Sequence, residues 1–425
     1  MPTSNIVPAL AGVAARVAGR GRRPATDRVY FLVVTIDGVS GVPRTVLTLA
    51  SALADRHDVE IISVYRRHDK PNFDVDPRVR ISYLYDQRRR GRRRKQGWAR
   101  ARAAPRRSRL KARLDRSPSR FFPKEKELSR LTDLLLARRL LTLQPGVLIS
   151  VRPALHAIAA AVAPPHLVTV AQDHLNFPTR MSGPAVRGLM ERVTRRLDCL
   201  SALTAADAVD YRAAFPDARA LITSIPNAAS WSPVEEPPPL DAKIVVSGGR
   251  LERRKGFHRL IHAYAPVAHK HPDWQLHIYG KGREEARLRK LIRKLGVEEQ
   301  VVLKGFTADF GAALSGSSVY AMASVYEGFP MVLLEAMSRG LPLVSYDCPR
   351  GPGEIIDDGR NGRLVADGDK DMLTAALLQV IEDDEARRRM GAQALADVAG
   401  YGVQAIAGRW EALFDELLAR RAARR

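Results

Sequence analysis

Apolar positions along this chain fall into two alternating registers. Val29–Ile36 (VYFLVVTI) is a continuous apolar run of strand length, as a strand buried on both faces of a parallel sheet requires. Further strand-like segments follow at Val59–Val64, Val79–Leu84, Gly146–Val151, Leu167–Ala171, Cys199–Leu203 and Leu221–Ile225. Between them lie patterns of helical period, with Val46, Leu47, Leu49, Ala50 and Leu53 in one and Leu128 to Leu143 in another. Ser230–Asp241 is rich in proline and acidic residues and reads as a linker. The alternation then restarts, with strands Ile244–Ser247, Gln275–Tyr279, Val301–Leu303, Ser318–Met322 and Leu343–Tyr346. Helices are expected at Phe257–His269 and Glu284–Leu295, and helical patterns run over Lys370–Ala396 and Gln404–Ala419. Alternating β and α at this spacing predicts two doubly wound, Rossmann-like α/β domains, 28–229 and 242–400, joined by 230–241 across a cleft.

The chain of 425 residues is long enough for two such cores. Its net charge of +23 is unevenly placed: 14 basic residues and no acidic one lie between Arg88 and Arg113. An insertion at 88–122 is expected there, too charged for a core and broken by Pro105 and Pro118. It reads as a segment lying on an anionic membrane surface, with Trp98, Phe121 and Phe122 dipping into the interface, or as a solvated disordered insertion. Nucleic acid is not expected, because no recognition fold or interleaved aromatic platform accompanies the charge. Residues 1–27 read as a basic arm and not as a signal peptide, since Pro8 and Arg16 interrupt the apolar start. Leu155–Val170 is interrupted by His156, Pro164, Pro165 and His166, so no spanning helix is expected. Two cysteines, Cys199 and Cys348, imply no disulfide framework. The expected location is the cytoplasm, peripheral at the inner face of the plasma membrane.

The densest chemistry is at Glu327–Gly340 (EGFPMVLLEAMSRG), whose carboxylates Glu327 and Glu335 are separated by seven residues. Gly328-Phe329-Pro330 forces a turn before an apolar helical run beginning at Met331. Pro330 suits the first helical position, where its missing N–H has no helical partner, and Gly340 with Pro342 supplies the stop. The free N–H groups of that first turn favour an anion. Donors for a phosphate between two carboxylates suit a molecule with both a diphosphate and sugar hydroxyls, such as a nucleotide-sugar.

Preceded by Gly248-Gly249-Arg250-Leu251-Glu252 and Lys255-Gly256, this spacing resembles the large retaining glycosyltransferase family four (glycosyl transferases group 1), with the B-type two-domain fold, GT-B. The resemblance runs from about Val29 to the C-terminus and is strongest over Val245–Val365. It implies transfer of a hexose, with retention and without a metal or other cofactor, from a UDP- or GDP-linked donor to a lipid-linked or cell-surface glycan acceptor. In the same terms it implies that Arg250 and Lys255 neutralise the departing diphosphate, that Glu327 holds the sugar, and that His174 lies near it. Glu335 would take the ribose hydroxyls and Gly305-Phe306 the base. Gly41, in a glycine turn after the first strand, would approach the phosphates, and Phe329, Pro330, Met331 and Val332 would line the donor with their backbone. It also implies that the last helix, within 401–425, crosses back to the first domain.

The neighbouring residues carry other readings. Arg253 and Arg254 read as solvent-facing charges, and Cys348–Ile356 as a sharp turn shaping the donor pocket. Thr204 and Asp207 have capping-box spacing. Gly280-Lys281-Gly282 lacks the third glycine of a dinucleotide fingerprint, which has Glu285 instead, so a tight turn suffices. Asp74 and Asp76 form an Asp-x-Asp that reads as a polar loop, not a metal site. Paired carboxylates also serve glycosidases, which have no use for Arg250 or Lys255. The alternative from another class is a non-catalytic polyanion- or membrane-binding protein on a degenerate transferase fold.

Overall fold

The structure, a computed structural model, describes residues 27–38, 41–88 and 106–424. In the first domain the order is β1 (Arg28–Thr35), α1 (Gly41–Leu53), β2 (Asp58–Arg66), β3 (Arg80–Asp86), α2 (Arg106–Arg116), α3 (Arg130–Leu140) and β4 (Gly146–Ser150). It continues with α4 (Pro153–Val162), β5 (Leu167–Gln172), α5 (Phe177–Arg180), α6 (Pro184–Thr194), β6 (Cys199–Ala202), α7 (Ala205–Ala214) and β7 (Leu221–Ser224). The second domain holds β8 (Ile244–Gly248), α8 (Phe257–Lys270), β9 (Gln275–Tyr279), α9 (Glu285–Leu295), β10 (Val301–Gly305), α10 (Phe310–Ser315) and β11 (Val319–Met322). Then come α11 (Met331–Met337), β12 (Leu343–Asp347), α12 (Pro352–Ile355), β13 (Gly362–Ala366), α13 (Lys370–Glu382), α14 (Asp384–Asp397) and α15 (Val403–Ala422).

Two parallel sheets result, ordered β3-β2-β1-β4-β5-β6-β7 and β10-β9-β8-β11-β12-β13. β1 shows why its sequence is apolar throughout. Val29, Phe31 and Val33 belong to one core cluster and Tyr30, Leu32 and Val34 to another, so both faces of the strand are covered. Each sheet reverses its strand order once, between β1 and β4 and between β8 and β11. Loops leaving those neighbouring strands diverge to opposite faces and open a crevice at the strands' C-terminal ends.

The last helix returns to the first domain. Ile406, Ala407, Trp410, Leu413, Phe414 and Leu417 of α15 are buried in the same cluster as Val29, Phe31 and Leu49. His57 and Arg56 meet Glu411 at 3.3 and 2.5 Å, and Gln404 donates to Asp55 at 2.9 Å.

Several elements differ from the sequence reading. Lys370–Ala396 is two helices, because Asp383 ends one and caps the other by accepting from the Ala386 amide at 2.8 Å. Leu155–Val170 resolves into most of α4, a turn at Pro164-Pro165, and the start of β5. Phe121 and Phe122 are half-buried and pack against the first-domain core. Part of the basic segment is the helix α2, where Lys111 sits 5.1 Å over the Tyr85 ring. Arg88, at the start of the cluster, pairs with Asp86 at 2.7 Å, whereas Trp98 with the rest of 89–105, and residues 1–26, lie outside the described residues. Among the described residues, no helix is long and apolar enough to cross a membrane.

Candidate functional site

The site is built where the turns after β8 and β11 meet. Gly256 has φ +65°, and a Cβ there would stand 1.8 Å from the Ala323 carbonyl oxygen, so only glycine lets the two turns touch. That contact sets Lys255 Nζ 2.7 Å from Glu327 Oε1. Ser324 Oγ donates to the same oxygen at 2.7 Å, and Arg254 Nη1 lies 3.9 Å from Oε2. Glu327 is only 4% exposed, and cations and a hydroxyl of its own domain satisfy it. Arg254 is therefore not a solvent-facing charge. It packs over the Tyr326 ring at 5.8 Å and flanks the carboxylate, which spacing alone did not reveal.

Beside this pair is a cavity of about 290 Å³, with Tyr279, Phe306, Phe310, Gly248, Gly249 and Arg250 in its lining. The Lys255 stem passes 3.5 Å from where a Cβ on Gly249 would be, so the cavity abuts the Lys255–Glu327 pair. Phe306 is 69% exposed and offers a ring at the rim, while Gly305 takes φ +74° to turn the chain there. Arg250 is not gathered to Glu327. Its side chain is 70% exposed and pairs with Glu252 at 3.0 Å, on the cavity's edge.

Glu335 is on α11, with Glu327 ahead of it, as the spacing predicts. Its carboxylate is occupied from across the cleft: Arg44 Nη1, on α1, donates to Glu335 Oε1 at 2.9 Å. The same guanidinium lies 5.6 Å over the Trp231 ring of the linker. Burial pushes the Glu335 carboxyl up from its ordinary pKa, and Arg44 and then Lys255 oppose that rise. Pro330 stands at the N-cap and not at the first helical position, and the Met331 amide is already bonded to the Phe329 carbonyl at 2.9 Å. Met331 thus offers no free donor. Phe329 is buried in a cluster with Leu333 and Leu334, and Val332 is half-buried beside it. Gly41 is the exposed first residue of α1, and a Cβ there would meet nothing within 4 Å, so packing does not demand glycine.

The opposite wall comes from the turn after β5. Asp173 is fully buried and accepts from Arg180 (Nε at 2.8 Å) and from Tyr211 Oη at 2.6 Å. Burial would raise its pKa, but the Arg180 charge and these hydrogen bonds hold it below the ordinary value. Asp173 also accepts from the Leu175 amide at 3.1 Å, which holds the turn that carries His174. Its Nε2 is inaccessible and unpartnered among the described residues, and burial lowers the imidazole pKa to about 4, so the ring is neutral at pH 7. A Cβ on Gly328 would come within 2.8 Å of the His174 carbonyl oxygen, so the two walls are in contact.

Sequence reasoning missed the residues that join the walls. Asn176 Nδ2 donates to the Glu327 carbonyl at 2.5 Å. Arg350 reaches Asp207 at 3.2 Å and also Asp210, and Glu354 accepts from the Ala205 and Ala206 amides at 2.9 and 3.0 Å. Residues 348–356 therefore do more than shape a pocket, since they fasten the second domain to α7. Thr204 caps the Asp207 amide at 3.1 Å, but the box is not reciprocal, because the Asp207 carboxylate turns to Phe177 N and Arg350. Asp76 accepts from Ser51 at 2.7 Å and from Arg78, as a polar loop residue does. The only sequence clue to the joining residues is their place after strand ends.

The chain is 33% identical over 403 residues to the exopolysaccharide phosphotransferase of Streptomyces coelicolor, a match covering 93% of this chain and 41% of that protein. It thus spans well under half of that relative's length. An uncharacterized glycosyltransferase of Haemophilus influenzae is 25% identical over 388 residues, covering 91% of this chain and 99% of the other. HepE from Anabaena, solved in complex with UDP, superposes with a TM-score of 0.68 at 18% identity over 92% of this chain and 100% of that one. The expected GT-B pairing of two doubly wound domains is therefore the observed fold. Residues 232–397, the linker and most of the second domain, match the family model described as glycosyl transferases group 1.

Proposed function

We propose that this chain is a retaining glycosyltransferase of family four that moves a hexose from a UDP- or GDP-linked donor to a lipid-linked or cell-surface glycan acceptor. One observation carries the reading: Lys255 and Glu327 are locked together at the strand-order reversal of the second sheet, beside an aromatic cavity and against His174. The base fits the cavity of Tyr279 and Phe306, and the ribose hydroxyls take Glu335 in place of Arg44. Lys255 and Arg250 then meet the charge that grows on the diphosphate as the glycosidic bond breaks, a role that needs no metal ion. Glu327 accepts from sugar hydroxyls, and neutral His174 offers a hydrogen bond without a competing charge. The acceptor oxygen attacks the anomeric carbon on the face the phosphate leaves, without a covalent intermediate. Its proton passes to the departing phosphate oxygen, giving the glycoside and a nucleoside diphosphate. The basic cluster at 88–113 supports work at an anionic membrane face.

A panel of nucleotide-sugars assayed for donor hydrolysis, with thermal stabilisation by micromolar UDP or GDP, tests this. A non-catalytic polyanion-binding protein would show neither hydrolysis nor stabilisation, and that result sinks the proposal.

A further inference from the structure

A second cavity, of about 350 Å³, lies where β5 and β6 begin, beside the end of α15. The cleft is at the other ends of these strands; six residues of β5 at ~3.3 Å each put the two about 20 Å apart. The wall is apolar, with Ala160, Ala163, Pro164, Pro165 and Leu167. Arg196, Arg219, Arg421 and Arg424 also line it, without a lysine among the lining residues. The one carboxylate, Asp198, is already satisfied: it accepts from the Thr169 amide and hydroxyl, each at 2.8 Å, and from Arg421 at 2.9 and 2.6 Å. These bonds hold it below its ordinary pKa although burial works the other way. Arg421 also donates to the Pro165 carbonyl at 2.7 Å, which fixes it against the wall. The side chains of Arg196, Arg219 and Arg424 have no hydrogen-bond or ion-pair partner among the described residues.

Three unpartnered guanidinium groups around an apolar pocket concentrate positive charge that an anion would neutralise. Guanidinium forks match phosphate oxygens in pairs and are more weakly hydrated than an ammonium, so arginine is the residue for this task. The cavity volume falls within the ~300–1,000 Å³ of small-molecule sites. We propose that this cavity is a phosphate-ester site separate from the cleft. Its arginine rim binds one or two phosphate groups, and its alanine-proline wall covers the adjoining carbon skeleton. The ester is a free small molecule or the headgroup of an anionic lipid.

Hydrogen exchange on the full chain tests the proposal and locates the binding. Inorganic pyrophosphate is one probe, and phosphatidylglycerol vesicles, against phosphatidylcholine vesicles, are the other. Protection of residues 194–199 and 218–222 is expected, with the half-effect concentration rising roughly tenfold or more in Arg196→Gln/Arg219→Gln, since each lost charged hydrogen bond is worth about a decade. Both side chains are exposed and unpartnered, so that variant should fold. Lys290→Gln/Lys294→Gln on α9 changes net charge equally and should leave the protection intact. Protection by pyrophosphate supports a free phosphate ester; protection by phosphatidylglycerol alone supports a headgroup. Absence of protection with both probes, or equal weakening in the two double variants, overturns the site.

Discussion

Glu327 and Glu335 are chemically identical, both nearly buried, and separated by one turn and part of a helix, yet they are neutralised in opposite ways. Glu327 is satisfied within its own domain by Lys255 and Ser324, whereas Glu335 takes its partner, Arg44, from the other domain. Relative movement of the sheets leaves the first carboxylate's partners unchanged and strips the second of its counter-ion. The first is thus a preorganised element, and the second reports whether the cleft is closed.

The largest effect comes from loosening the wall that supplies Arg44. Trp410 is fully buried where α15 packs on the first domain. Trp410→Ala should cost ~3–5 kcal/mol in urea unfolding. A loss under about 1 kcal/mol would mean that the last helix does not anchor the first wall. Breaking the other half of the comparison comes next. Lys255→Ala leaves a buried carboxylate without its ammonium and should lower donor turnover about 10²–10³-fold. Retention of more than about a third of wild-type turnover would remove Lys255 from the mechanism.

The same contrast decides what was legible in the sequence. Lys255, Glu327 and Glu335 follow strand ends in local motifs, so position and resemblance sufficed to nominate them. Arg44 and Glu335 are 291 residues apart, and Asn176 and Glu327 are 151 apart; no periodicity or spacing encodes a contact at that separation. Among the elements, β1 announced itself because both faces are buried. β13 (GRLVA) pairs only with β12, is short and carries an arginine, so it has no apolar run to read. α4 (PALHAIAAAV) is apolar almost all round, and its helical period is hidden for that reason.

A smaller effect should follow pH and fall on the first wall. His174 is half-buried with its Nε2 inaccessible, and its pKa is lowered from 6.5 to about 4, so the ring is neutral at pH 7. The unfolded chain therefore binds the proton first as pH falls through 6.5, and stability drops until about pH 4, where the folded imidazole titrates too. At pH 5 the loss from His174 alone is ~2 kcal/mol. His156, lowered to about 3 by burial, adds in the same direction. Urea midpoints at pH 7 and pH 5 measure the drop, and His174→Gln should make it shallower. A midpoint that stays constant over that range would show that these rings are accessible in solution.

The smallest expected effect bears most directly on the difference between the two carboxylates. In Arg44→Gln, Glu335 keeps its burial but loses the charge that opposes it, so its carboxyl pKa should rise further than in the wild type. A protonated carboxyl accepts ribose hydroxyls less strongly than a carboxylate. Nucleoside diphosphate affinity in the variant should therefore begin to fall at a higher pH than in the wild type as the solution is acidified, with the ratio of the two affinities widening. The sign follows from the direction of the shift: a raised pKa means more neutral Glu335 as pH falls. Equal pH profiles for the two proteins would place the ribose away from Glu335, and the contrast between the two acids would then concern domain closure alone.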